Sequence, residues 1–275
     1  MGMREAYDAV HNSTGAEGAL SRSKSPSLVL TLTAVNAAVY AGIGALWTVF
    51  PLMIFGVRFW PQVFAPAVFS VLFGPWIGGL GAAIGIFIAD VVYGHHDAFL
   101  SLLVGVPSNF VGFFVIGWLT NHDFKTLTRR LLVVVSVAII PVYALTFVYG
   151  LYLLSGAVTL PIDVTLVGLI VVLVILGLFL ARNKWADFEA AASIGLGIGT
   201  AIIGIGIVAY SLVFGLPVAV GLGTKPLGSA FMSVVGASSY FTEIPFMVIL
   251  TPPVAAACRS AFPSLRGMSQ HQVER

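Results

Sequence analysis

The most regular feature of the chain is a series of long stretches that contain no Asp, Glu, Lys or Arg. Five stand out, at residues 25–57, 59–89, 98–122, 131–162 and 190–224. A helix needs roughly 20 apolar residues to cross the hydrocarbon core of a bilayer, so each stretch is long enough for at least one crossing. Strands of a membrane barrel alternate apolar and polar residues, and residues 131–149 do not alternate. The pattern therefore predicts an all-α, polytopic transmembrane helical bundle.

The pattern divides into about eight apolar segments, which allow six to eight crossings. They lie at residues 28–55, 61–73, 76–93, 98–120, 131–154, 164–181, 190–214 and 227–258. The second, which is short for a full crossing, meets the third at Gly74-Pro75, because Gly ends a helix cheaply and Pro cannot continue one from the preceding turn. The eighth is interrupted by one acidic residue and three prolines, namely Glu243, Pro245, Pro252 and Pro253.

Composition supports a membrane domain with short polar tails. Hydrophobic residues make up 59% of the 275 residues and charged residues only 9%, whereas soluble domains average about 25% charged residues. Residues 27–260 are predicted to form a single transmembrane domain. Residues 1–26 are polar and lack the apolar region of a signal peptide, so we expect a disordered cytoplasmic tail, with a second short cytoplasmic tail at 261–275. The net charge of +2 is too small to suggest nucleic-acid binding.

The basic residues predict how the chain is oriented. Lys and Arg are enriched in short cytoplasmic loops of membrane proteins. With eight crossings and the N-terminus inside, only Arg58 and Lys225 of the 13 Lys and Arg residues lie outside, and the inverted orientation would reverse this bias. We therefore predict that both termini are cytoplasmic, in a multi-pass protein of the plasma membrane.

Motifs for enzymatic or metal chemistry are missing from the sequence. There is no Walker-type phosphate loop, no G-x-S-x-G, no H-E-x-x-H and no CxxC, and the one cysteine is Cys258. His95 and His96 stand beside Asp97, but adjacent residues do not share a helix face, so a solvated loop is favoured over a metal site. We predict that the chain is not an enzyme and has no cofactor or bound metal.

Polar residues within the apolar segments are candidates for a ligand site, because an ionisable residue in a span is costly. Asp90 lies near the predicted outer end of the third segment, where an interfacial position is equally compatible with the sequence. Glu243 lies deeper in the eighth. Asn109 is mid-span, and it could instead satisfy a backbone carbonyl freed by Pro107. Arg58, outside against the charge bias, could bind an anionic or carbonyl group, or extend to lipid headgroups.

Two rows of small residues run along the first segment at four-residue spacing. They are Ala34, Ala38 and Gly42 in one row, and Ala37, Ala41 and Ala45 in the other. Small residues let membrane helices approach closely. The rows are compatible with ordinary internal packing or with a docking face for another membrane subunit.

Residues 57–90 resemble the substrate-binding S components of energy-coupling factor (ECF) transporters. The shared order is an Arg-Phe-x-Pro start (Arg58 to Pro61), a short apolar helix, Phe-Gly-Pro at 73–75, a Gly-rich helix and a closing Asp90. The first helix of that family carries Ala-xxx-Ala motifs that contact the transmembrane coupling subunit, and Ala34, Ala38, Ala37, Ala41 and Ala45 match them. The resemblance covers roughly residues 30–120. S components typically have six helices, so the eight segments found here are a departure.

The resemblance implies capture of a vitamin-like small molecule or a metal ion from outside, in partnership with a membrane coupling subunit and cytoplasmic ATPases. The binding cavity would open outward. The residues expected to line it are Arg58, Trp60, Gln62, Asp90, Asn109, Tyr240 and Glu243. Two other readings stay open at this point, a membrane sensory or scaffold module and a stand-alone secondary transporter.

Overall fold

Seven α-helices account for most of the part of the chain that the structure describes. This computed structural model describes residues 25–46, 53–54, 57–58, 60–93, 98–122, 124–155, 185–215 and 228–262. The helices are α1 (Pro26–Leu46), α2 (Phe64–Phe73), α3 (Pro75–Val92), α4 (Ala98–Thr120), α5 (Thr126–Ser155), α6 (Ala186–Val213) and α7 (Ser229–Ala261). A two-residue antiparallel pair, β1 (Met53–Ile54) and β2 (Val57–Arg58), follows α1. A 3₁₀ turn, Pro61–Val63, leads into α2.

Six of these helices, all except α2, are long and apolar enough to cross a membrane. The chain is therefore a multi-pass integral membrane protein, and the predicted all-α polytopic bundle is confirmed. The predicted break at Gly74-Pro75 is also present, since Gly74 separates α2 from α3 with a φ of 94°, a conformation that favours glycine.

One predicted boundary is wrong. The first helix ends at Leu46 rather than continuing to residue 55, because hydropathy does not distinguish a helix from the extended apolar pair that follows it. The acidic residue and the three prolines that interrupt the eighth apolar segment do not break its helix, since α7 runs continuously through them. Neighbouring helices in a membrane can satisfy the carbonyls that prolines free. The predicted sixth segment, 164–181, and both tails beyond residues 25 and 262 lie outside the described residues.

Two pairs of neighbouring helices run parallel. In the first pair, the Asn36 amide of α1 donates a 2.9 Å hydrogen bond to the Ile77 carbonyl near the start of α3, while Gly44 packs on Ala89 near the end of α3. Helix α2 lies between α1 and α3 in the sequence and returns the chain to the end of the bundle where α3 begins. Helices α3 and α4 are antiparallel, because Gly117 of α4 packs on Pro75.

The second parallel pair is α5 with α6. Ser193 of α6 donates a 3.0 Å hydrogen bond to the Ser136 carbonyl, and one helical turn or more further along both helices Tyr143 donates to the Gly197 carbonyl. The chain between α5 and α6 must therefore connect opposite ends of the bundle. A crossing by the predicted sixth segment would make that connection, and it stays a prediction.

These directions bring both ends of the described chain to one end of the bundle. Helix α6 begins where α4 ends, since Gly195 packs on Ile116, and α7 runs antiparallel to α6, since Gly204 packs on Met232. Helices α1, α5 and α6 thus begin at the end where α4 and α7 finish. The basic side chains of Lys125, Arg129, Arg130 and Arg259 belong to this end, which we call the basic end. Its assignment to the cytoplasm stays a prediction.

The helix α2, with its 3₁₀ turn, is a half-helix enclosed by the bundle. Its 10 residues extend about 15 Å, half of a bilayer core. It packs on α3, α4 and α7, and every residue of Pro61–Phe73 is buried or half-buried. The half-helix therefore begins inside the bundle and ends at Gly74, near the basic end.

Close contact between α4 and α6 depends on glycine. A Cβ placed on Gly195 would lie 2.6 Å from the Gly112 carbonyl oxygen and 2.5 Å from Cγ1 of Ile116.

We expect Gly195→Ala to lower the free energy of unfolding by about 1–3 kcal/mol, because both helix backbones must separate. The thermal unfolding midpoint of the purified protein in mild detergent measures this.

The matched control is Gly42→Ala on α1, where nothing lies within 4 Å of the new Cβ. Alanine is the better helix former, so the control should be as stable as the wild type or slightly more stable. Equal midpoints for Gly195→Ala and Gly42→Ala would contradict the close packing of α4 on α6.

Candidate functional site

The buried hydroxyl of Tyr40 joins three parts of the bundle. The Trp60 indole N–H, just before the half-helix, donates a 2.9 Å hydrogen bond to the Tyr40 hydroxyl. That hydroxyl donates a 2.9 Å hydrogen bond to Oδ1 of Asn109 on α4. The Asn109 amide in turn donates to the Gly105 carbonyl at 2.9 Å. We call Trp60, Tyr40 and Asn109 the Tyr40 chain.

Two carboxyl groups lie beside the Tyr40 chain. Asp90 approaches Gly105, whose carbonyl accepts the hydrogen bond from Asn109, and Glu243 lines one cavity with Asn109. Asp90 accepts a 2.6 Å hydrogen bond from Ser101, which begins a π-helical turn in α4, Ser101–Gly105. Such turns occur frequently at functional sites. Glu243 is only 7% exposed, and its carboxylate forms no hydrogen bond or ion pair within the described residues.

Gln62 is the most unusual polar group of the site. Its side chain is completely buried, and neither its amide oxygen nor its amide nitrogen has a hydrogen-bond partner in the described part of the chain. Its Nε2 lies close to Gly44, where a Cβ would approach it to 3.1 Å, and Trp60 borders the same position. Each buried unpaired polar atom costs roughly 1–3 kcal/mol, so such a group requires an explanation.

These residues lie at different depths along the bundle. Gly117 of α4 packs on Pro75, which gives a common level in α3 and α4. At 1.5 Å per residue, Asn109 lies about 12 Å from that level and Asp90 about 22 Å from it. Measured from that level along a hydrocarbon core about 30 Å thick, Asn109 lies near the middle and Asp90 lies toward the end opposite the basic end.

Tyr240 belongs to a second polar cluster, between α5, α6 and α7. Its hydroxyl hydrogen-bonds with Ser193 at 2.8 Å, and its ring stacks on Tyr143 at 4.6 Å between centroids. Ser193 also donates to the Ser136 carbonyl at 3.0 Å. Within the described residues, no hydrogen bond joins Tyr240 to the Tyr40 chain, so the structure gives it a role in helix packing.

A small cavity lies between α4, α6 and α7, with a volume of about 20 Å³. Its polar lining comes from Ser108, Asn109, Thr200 and Glu243. This volume is enough for roughly one water molecule, whereas a drug-sized ligand occupies a pocket of about 300–1,000 Å³. The cavity is therefore far smaller than the outward-open one that the resemblance implies, and Gln62 does not line it.

Five of the seven predicted site residues meet around Tyr40, namely Trp60, Gln62, Asp90, Asn109 and Glu243. For Arg58 the structure describes only the backbone, in β2, a strand that contacts α7. His95, His96 and Asp97 lie outside the described residues. Tyr40 was not predicted as a site residue, although a tyrosine hydroxyl among the small residues of the first apolar segment was an indication of a polar site there.

The two small-residue rows of α1 differ in exposure. Ala37 and Ala41 are 3% and 4% exposed, and the backbone at Ala37 packs closely on Gly85 of α3. The chain itself buries these two alanines, so their exposure does not support the predicted contact with a coupling subunit, which stays a prediction. Ala45 is half-buried. Ala34, Ala38 and Gly42 are exposed, and we call these three the open row.

Comparisons with known proteins found no relative of this chain. No protein-family model, curated protein or solved structure matches this chain. The resemblance to ECF S components therefore rests on residues 57–90 and on the first helix, and it stays a prediction.

We expect Tyr40→Phe, which removes a single hydroxyl group, to lower the free energy of unfolding substantially. Loss of the hydroxyl leaves the buried Trp60 N–H without this acceptor and Oδ1 of Asn109 without this donor, and the expected cost is about 1–3 kcal/mol for each unpaired group. The measurement is the thermal unfolding midpoint in mild detergent.

Tyr149→Phe is the matched control, because Tyr149 is 61% exposed on α5. Its midpoint should equal that of the wild type. If Tyr40→Phe also unfolds at the wild-type midpoint, the Tyr40 chain does not hold these elements together.

Proposed function

We propose that this integral membrane protein captures a small molecule from outside the cell and is the substrate-binding subunit of an ECF-type importer in the plasma membrane. In this proposal the substrate binds at the Tyr40 chain, with Gln62 as its main polar contact. A coupling subunit and cytoplasmic ATPases would supply the energy, as the resemblance implies.

The observation that carries the proposal is the unpaired amide of Gln62. Membrane interiors offer no water to such a group, so its desolvation cost persists unless a ligand supplies both a donor and an acceptor. A purely structural residue at this position would be more stable as an apolar side chain of similar shape. Trp60 beside it provides a flat apolar surface of the kind that lines small-molecule sites.

Entry of a small molecule would require the half-helix to move, because the Gln62 side chain is completely buried. The half-helix is suited to such a movement. It is short, is joined to α3 through Gly74, and begins at Trp60 and Gln62 themselves.

The open row on α1 supports the proposal that a second membrane protein binds this chain. Ala34, Ala38 and Gly42 form a smooth exposed strip, and small residues allow another helix backbone to approach closely. Neighbouring exposed positions of the same helix carry large side chains such as Val35 and Val39. The strip therefore fits a helix of a coupling subunit better than it fits loosely packed lipid.

A stand-alone secondary transporter is the second candidate. In such proteins, discontinuous helices end near the middle of the membrane and contribute to the binding site, and α2 begins at such a depth. Recovery of the protein alone, from native membranes in mild detergent, would favour this candidate over the ECF-type importer.

Gln62→Leu should separate ligand capture from stability. Because leucine removes two unpaired polar atoms and keeps a similar volume, we expect an unfolding midpoint equal to or above that of the wild type. We also expect the amount of small molecule that co-purifies with the protein to be at least about tenfold lower than for the wild type, because one lost polar contact pair costs about 1.4 kcal/mol or more. Native mass spectrometry of the purified protein measures the bound molecule.

The control for Gln62→Leu is Val63→Leu, the next residue of the same turn, which is also buried and changes size without changing polarity. It should retain the molecule. A Gln62→Leu protein that is less stable and still carries the molecule would show that Gln62 is structural, and a wild type that carries none would count against capture.

Ala38→Trp should remove the membrane partner while leaving the fold intact. The bulky ring would hold a neighbouring helix away from the open row, so recovery of the coupling subunit with the tagged protein should fall at least about tenfold, a loss of about 1.4 kcal/mol in binding. Quantitative mass spectrometry of complexes from native membranes measures the recovery. Ile84→Trp on α3, which is likewise exposed, is the control, and equal recovery from both variants would refute the docking role of the open row.

A further inference from the structure

The cavity beside Glu243 is lined by three further polar side chains, Ser108, Asn109 and Thr200. Ser108 donates its hydroxyl hydrogen to the Gly105 carbonyl at 2.9 Å, and the Asn109 amide donates to the same carbonyl. Thr200 donates within its own helix, to the Leu196 carbonyl at 2.9 Å. Each of these side chains still has lone pairs free on its oxygen. The lining therefore offers oxygen lone pairs, which suit a cation, and the hydroxyls of Ser108 and Thr200 have no hydrogen left for the Glu243 carboxylate.

Glu243 needs a positive partner that the lining residues do not provide. The residue is only 7% exposed, and no Lys, Arg or His lines the cavity. An ionised carboxylate in the membrane interior is costly unless it is paired. A positively charged atom bound in the cavity would provide that partner.

The size and chemistry of the cavity restrict what that atom can be. A volume of about 20 Å³ admits one water-sized particle. Within the described residues there is no group of three or more His, Cys, Asp or Glu that could hold a metal ion, so transition metals, which favour nitrogen or sulfur ligands, do not fit. A single carboxylate balances one positive charge, and Ca²⁺ usually requires six to eight oxygen ligands.

We propose that this cavity binds one monovalent alkali cation of the size of Na⁺, held by the Glu243 carboxylate and by the side-chain oxygens of Asn109, Ser108 and Thr200. The cation joins α4, α6 and α7 at the depth of the Tyr40 chain. The site goes beyond the proposed capture of a small molecule at Gln62. It is tested with the cation alone, so failure of one proposal leaves the other standing.

The experiment measures Na⁺ binding to the full-length protein, purified in mild detergent in choline chloride at one fixed pH. NaCl replaces choline chloride at constant ionic strength, and the thermal unfolding midpoint is followed together with the heat of binding by calorimetry. Because a ligand that binds only the folded state stabilises it, we expect Na⁺ to raise the midpoint by about 3 °C or more at saturation. The calorimetric stoichiometry should be close to one Na⁺ per chain.

Glu243→Gln keeps the shape of the side chain, removes the charge and should abolish the Na⁺ response. The matched control is Glu189→Gln, since Glu189 is also a buried acid, 4% exposed on α6, but does not line the cavity. It should respond to Na⁺ as the wild type does. Should Glu243→Gln fail to fold, Thr200→Val retains the charge and should weaken Na⁺ binding about tenfold, the equivalent of one lost neutral ligand at about 1.4 kcal/mol.

Loss of the Na⁺ response in Glu243→Gln, with retention in Glu189→Gln, supports the site. A wild type whose midpoint is the same in NaCl and in choline chloride overturns it. A response that persists in Glu243→Gln, or one that Thr200→Val leaves at full affinity, places any bound Na⁺ elsewhere and also overturns the proposal.

Discussion

The hydrocarbon core of a membrane contains no water, so each polar side chain inside it must find its partner within the protein or in a ligand. The hydroxyl of Tyr40 meets this requirement in both directions, as acceptor from Trp60 and as donor to Asn109. The two bonds hold α1, the start of the half-helix and α4 together. The half-helix begins inside the bundle, where its first backbone N–H groups have no partner in a preceding turn. Pro61 and Pro66 remove two of those donors, since proline has no N–H.

The sequence predicts the helices well because their existence depends on local composition. Charge-free stretches mark the spans, and Gly74-Pro75 marks the end of the half-helix. The end of α1 at Leu46 could not be predicted in this way, since the residues that follow are as apolar as the helix. Continuity of α7 through Pro245, Pro252 and Pro253 also lies beyond a local rule, because it depends on what the neighbouring helices offer to the freed carbonyls.

The site was predicted in part, and the missing part depends on contacts distant in sequence. Costly polar residues in apolar segments pointed to Asp90, Asn109 and Glu243, and the structure brings them together. Tyr40 was missed because its partner Asn109 is 69 positions away along the chain. Residue spacing alone also could not show which of the two small-residue rows of α1 is buried. The glycines of α3 decide which row is buried, since Gly85 admits the backbone of Ala37 and leaves the open row outside.

Gln62 and Glu243 are the two polar groups of the site for which the described chain supplies no hydrogen bond, and they make different demands. A neutral amide needs one donor and one acceptor, so it suits an uncharged polar group of a small molecule. A carboxylate needs positive charge, so it suits a cation. Both lie next to the Tyr40 chain, because Trp60 borders Gln62 and Asn109 lines the cavity of Glu243. A ligand at either position would therefore act on the same two hydrogen bonds, and thermodynamic reciprocity requires that any effect of the cation on small-molecule affinity equals the effect of the small molecule on cation affinity.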